Sequence, residues 1–124
     1  MKLNTARIFV RDLEAAQSFY RDALGLALRG GGAGSGYCVF DAGAARLIVE
    51  SVEESAPAED QALVGRFTGL SFTVQDIAAK YEQLLSRRVQ FTGAPEPQSW
   101  GGTLATFMDP AGNELQLVQG PNAG

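Results

Sequence analysis

Apolar and polar residues alternate in short runs along this chain, and twice the alternation gives way to a repeat of three to four. Residues 3–10, LNTARIFV, read as a strand with Thr5, Arg7 and Phe9 on one face and Ala6, Ile8 and Val10 on the other. Asp12 then offers an N-cap, and DLEAAQSFYRDAL places Leu13, Ala16, Phe19, Tyr20, Ala23 and Leu24 at helical spacing. Gly25 closes that helix. LALR reads as a short strand, RGGGAGSG as a flexible turn, and YCVFDAG with ARLIVES as a hairpin.

The acidic stretch 53–66, EESAPAEDQALVGR, breaks the pattern and reads as a linker. After it the first pattern returns. FTGLSFTV is a strand with Gly69, Ser71 and Thr73 on one face. Asp76 caps a helix whose inner face is Ile77, Tyr81, Leu84 and Leu85. VQFT, GTLATFM and ELQLVQ are strands, GAPEPQSWGG a loop, DPAGN a tight turn and GPNAG a loose tail. VRDL (10–13) and VQDI (74–77) mark the same point in two copies of one unit, strand–helix–three strands. The expectation is one domain, 1–124, of class α+β. It has a first βαβββ module at 3–52, the linker at 53–66 and a second module at 67–119. The sheets are antiparallel-rich and the helices lie outside.

Composition narrows the chemistry. Of 124 residues 45% are hydrophobic and 19% charged, as in globular chains, and the net charge is −4. That balance argues against nucleic-acid partners. No signal pattern and no membrane-length apolar run appear, so no membrane partner and a cytoplasmic location are expected. Cys38 is the one cysteine and reads as a buried thiol. There is no histidine, which removes the commonest general base and transition-metal ligand, along with Ser-His-Asp and Cys-His catalysis. The GGGAGSG run is no phosphate loop, because no Lys-Ser/Thr follows and a strand comes next.

The doubled pattern, with FVRDLEAAQSFYRDALGL early and WGGTLATFMDPAGNELQL late, resembles the glyoxalase / bleomycin-resistance / extradiol-dioxygenase (vicinal oxygen chelate) superfamily over residues 3–119. The resemblance implies two βαβββ modules forming a cup-shaped sheet, with the ligand in the cup. In the family's enzymes four side chains, typically His or Gln and Glu, hold a divalent metal there. Carried over from the capping aspartates, the Pro110 turn and the LIVES strand, those positions fall on Thr5, Glu50, Gly69 and Gln116. Glycine supplies no side chain and threonine a weak ligand, so the set is degenerate. The reading carries no metal and no cofactor.

Strand alternation turns Arg7, Phe9, Ser71 and Thr73 into the cup the resemblance implies; with the carried-over Glu50 and Gln116, and Tyr37 and Trp100 joining Phe9 as apolar walls, they make the candidate ligand-binding set. Arg7 has two readings, an ion pair with Glu50 in the metal's place or contact with ligand. Trp100 either anchors its loop or stacks on ligand. Ser71 and Thr73 are ligand contacts or ordinary strand residues. Glu114 reads as solvated. The expected function is metal-free binding or sequestering of an aromatic, including cationic, small molecule. That resembles bleomycin-resistance-type proteins and, like them, implies a homodimer. The alternative is a glyoxalase- or dioxygenase-like lyase or isomerase with unusual ligands. A metal-free version has Glu50 as weak candidate base.

Overall fold

A computed structural model describes residues 1–121. The chain divides into two compact units. The first comprises Met1–Arg66 with Pro110–Asn113. The second comprises Phe67–Asp109 and the chain from Glu114 onward. The architecture is α+β.

The first unit runs β1 (Thr5–Val10), α1 (Leu13–Ser18), β2 (Leu28–Gly32), β3 (Tyr37–Ala42), β4 (Ala45–Ser51) and a short α2 (Ala58–Gln61). Its sheet has the order β1-β4-β3-β2, with β1 parallel to β4 and the other pairs antiparallel. Asp12 accepts the Ala15 N–H and so caps α1. The helix continues through Phe19–Ala23 as a widened π-turn, with Leu24 N donating to the Phe19 carbonyl. Gly25 follows at φ +77 and closes it. The face of β1 under the helix, Ile8 and Val10, is buried with Leu13, Ala16, Tyr20, Phe40, Leu47 and Val49. Tyr20 lies edge-on to Phe19 and 5.8 Å from the Phe40 ring.

Two stretches differ from the sequence reading. The glycine run, expected as a flexible turn, forms the end of β2: Gly30, Gly31 and Gly32 pair with Val39, Cys38 and Tyr37. Gly31 takes φ +68, and a Cβ there would stand 2.3 Å from the Tyr37 carbonyl oxygen. Only glycine lets the strands approach this closely. The 53–66 stretch is also built. It carries α2, and Val64 bridges to Phe9 alongside β1. Gln61 organises it. Its side-chain amide donates to the carbonyls of Glu53 (2.6 Å) and Glu54 (3.2 Å), while its Oε1 accepts from Arg11 at 3.0 Å.

The second unit runs β5 (Phe67–Thr73), α3 (Ile77–Ser86), β6 (Gln90–Phe91), β7 (Glu96–Pro97), β8 (Thr103–Met108) and β9 (Glu114–Gln119). The sheet order is β5-β9-β8-β6, with β7 also on β8. Asp76 accepts from Ala79 N at 3.0 Å and caps α3. Ile77 and Leu84 pack with Phe107, Leu115 and Leu117 in the core. Tyr81 sits edge-on to Phe91. Leu85, expected on the inner face, is exposed: one helical stripe is wide enough for Ile77, Tyr81 and Leu84, and Leu85 falls beyond its edge. The loop 93–102 is interrupted by β7. Of the expected loose tail, residues 122–124 lie outside the described residues. No described helix is long and apolar enough to cross a membrane.

Cys38 is fully buried beneath α1, with Gln17 Oε1 3.7 Å from its sulfur. Burial pushes the thiol pKa up, opposed by the nearby Arg21. Native protein should therefore react with a disulfide reagent such as Ellman's only slowly, and one thiol should appear promptly in denaturant. Fast native labelling would show that the β3 environment is open.

Candidate functional site

Alternation along β1 and β4 sets the first group of side chains. Thr5, Arg7 and Phe9 project from the β1 face opposite the helix. In register with Phe9 stand Glu50 on β4 and, next to it, Tyr37 on β3. Arg7 reaches Glu50 with two hydrogen bonds, Nε to Oε2 and Nη2 to Oε1, the latter 2.9 Å. The hydrogen bond and then the charge of Glu50 raise the Arg7 pKa above its ordinary value. The guanidinium carbon also lies over the Phe9 ring, 5.2 Å from its centroid. Tyr37 is exposed, with its ring folded over Gly31.

Of these, Arg7, Phe9 and Glu50, joined by Ser51, floor a cavity of about 500 Å³ walled by Val52, Glu53, Ala56, Asp60 and Leu63, and Thr5 and the candidate Tyr37 are not part of its lining. Its lining comes wholly from the first unit. Three carboxylates face one guanidinium, so the cavity favours positive charge. The wall residues were not among the sequence candidates. The acidic run was visible, but its shape rests on partners such as Gln61 and Asn113 that no periodic pattern announces.

The second group lies in the other unit. Ser71, Gln116 and Thr106 stand side by side across β5, β9 and β8, and Gln116 Nε2 donates to Thr106 Oγ1 at 3.2 Å. Thr73 shares this face two residues on, paired with Val118, and Glu114 shares it half-buried. Trp100 is half-exposed and its ring lies over Gly102, where a Cβ would come within 1.9 Å of it. The sequence candidates thus form two sets, one in each unit.

The four family metal positions do not suit a transition metal. The Thr5 hydroxyl donates to Asn4 Oδ1 at 2.6 Å. Both carboxylate oxygens of Glu50 hold Arg7. Gly69 has no side chain and sits at φ +74, where the β5–β9 register shifts. Gln116 bonds its neighbour. Such metals require imidazole, thiolate or several carboxylates, and among the described residues no three of His, Cys, Asp or Glu gather to hold an ion.

A model of the Glyoxalase/Bleomycin resistance protein/Dioxygenase superfamily matches residues 2–117. Over 53 residues the chain is 42% identical to the bleomycin resistance protein of Klebsiella pneumoniae, covering 37% of this chain and 42% of that protein. The match thus spans less than half of that relative's length. Among solved structures, a member of the Glyoxalase/bleomycin resistance protein/dioxygenase superfamily from Sphaerobacter thermophilus DSM 20745 gives a TM-score of 0.75 at 29% identity, covering 97% of this chain and 98% of its own. TnmS3, an antibiotic binding protein from Streptomyces sp. CB03234, gives 0.75 at 25% identity, covering 96% and 95%.

Proposed function

Since the chain belongs to the Glyoxalase/Bleomycin resistance protein/Dioxygenase superfamily, we propose that it acts as a metal-free small-molecule binding protein that holds or sequesters an aromatic cation. The carrying observation is the cavity of about 500 Å³ in the first unit, a size suited to a compact organic ligand. Phe9 and the Arg7–Glu50 pair form its floor, and Glu53 and Asp60 attract charge from the wall. The Streptomyces relative is named as an antibiotic binding protein and the Klebsiella relative as a bleomycin resistance protein, which supports binding of a small molecule. The donor set supports a metal-free reading over a lyase or isomerase. A homodimer belongs to the same reading.

Titration calorimetry tests it with bleomycin, with 9-aminoacridine as a compact planar cation, and with anilinonaphthalene sulfonate as an anionic counterpart. A cation should bind, the anion should not, and Glu53→Gln/Asp60→Asn together should weaken the cation about tenfold, as expected for the loss of two partly exposed charges. Equal binding of cation and anion, or no binding of either cation, would overturn the proposal.

A further inference from the structure

Arg7 is held on two sides. Glu50 grips its edge through two hydrogen bonds, which fixes the guanidinium plane. Phe9, two residues along the same strand face, lies beneath it. The Arg7 side chain is still 57% exposed, and it lines the cavity. Its charge is already matched by a carboxylate, so an anionic ligand gains little there. A guanidinium face is poorly hydrated and stacks well on π-systems. Phe9, by contrast, has a ring face covered by Arg7.

Resting on the functional reading above, we infer that the Arg7 guanidinium, clamped by Glu50 and backed by Phe9, is the stacking platform for the ligand's ring, which makes Arg7 the residue that selects planar arenes over other cations of similar bulk. The layers run Phe9, Arg7, ligand arene. The cationic substituent of the ligand then faces Glu53 and Asp60. Phe9 acts through Arg7 as a positioning residue, and the shape of the ligand is sensed by a flat cation instead of by an aromatic box.

The test uses two monocations of comparable bulk, planar 2-naphthylmethylamine, whose arene is neutral and whose charge sits on the amine, and globular 1-adamantylamine. Wild-type protein should prefer the naphthyl amine by about tenfold, the scale of a cation–π contact. Arg7→Lys keeps the charge and can still pair with Glu50, but it lacks the plane. The preference, read as the ratio of the two affinities within each protein, should fall to within about threefold. In wild-type protein the Arg7 Nε–H resonance should also move upfield on adding 2-naphthylmethylamine, through the ring current of a stacked arene. A full preference retained in Arg7→Lys, or an unmoved Arg7 resonance at saturation, overturns the platform while leaving the function standing. If both cations bind equally to wild type and Glu53→Gln/Asp60→Asn weakens both, the platform again falls alone. If neither binds, the functional reading fails and the platform with it.

Discussion

Asn113→Ala is expected to destabilise the protein by about 2–4 kcal/mol, the cost of stranding several polar groups at once. Asn113 is 1% exposed. Its Oδ1 accepts from Gly65 N at 2.8 Å and Arg66 N at 3.3 Å, and its Nδ2 donates to the Phe9 carbonyl at 2.9 Å. One amide therefore ties the end of the 53–66 stretch to β1. Alanine removes the acceptor for two N–H groups and the donor for one C=O and puts no polar group in their place. Asn113→Asp separates the two halves of the amide. It keeps the acceptor but sets a carboxylate oxygen against the Phe9 carbonyl, so it should recover only part of the loss. Because Phe9 is part of the cavity floor, ligand affinity should fall together with stability. Urea unfolding curves at matched pH measure the first effect. A loss under about 0.5 kcal/mol for Asn113→Ala would place these bonds among solvent-compensated ones.

Phe107→Ala should cost more, about 3–5 kcal/mol, as for buried aromatic truncations generally. Phe107 is fully buried on β8. It pairs with Leu115 on β9 and with Phe91 on β6, whose ring centroid is 5.8 Å away. The helix α3 closes over this face. Removing the ring leaves a void bounded by two strand backbones and a helix, and none of these can collapse far. Phe107→Leu restores most of the volume and should cost less than about 1.5 kcal/mol. Trp100 belongs to the same unit and gives a fluorescence signal for its unfolding. If alanine and leucine destabilise equally, ring volume is not what holds this core.

The helix caps and the last strand were legible in the sequence for local reasons. Asp12 and Asp76 each precede a run at helical spacing, and each accepts the N–H three residues on. ELQLVQ alternates cleanly and forms β9 over Glu114–Gln119. The same alternation put Arg7 and Phe9 on one face of the first sheet, and the family resemblance pointed to Glu50, so the Arg7–Glu50 pair was in reach of sequence reasoning. What escaped depended on partners distant in sequence. The strand in Gly30–Gly32 is decided by how closely the backbone of Tyr37 must approach, and glycine carries no apolar signal to reveal it. Asn113 looks like a local turn residue in DPAGN, yet its partners are Phe9, Gly65 and Arg66. The cavity wall is held by turns and by side-chain-to-backbone bonds such as those of Gln61, so neither period two nor period 3.6 marks it.

The hold that Gln61 has on residues 53–56 is addressed to main-chain carbonyls. A grip on backbone is indifferent to the side chains it carries. Within this segment, conformation and chemistry are therefore stored in separate atoms: Gln61 and Arg11 fix where the wall stands, while Glu53, Ala56 and Asp60 define what it presents. Drift at those three positions can retune the accepted compound without asking the chain to learn a new shape. Drift at Gln61 would loosen residues 53–56 whatever side chains they display.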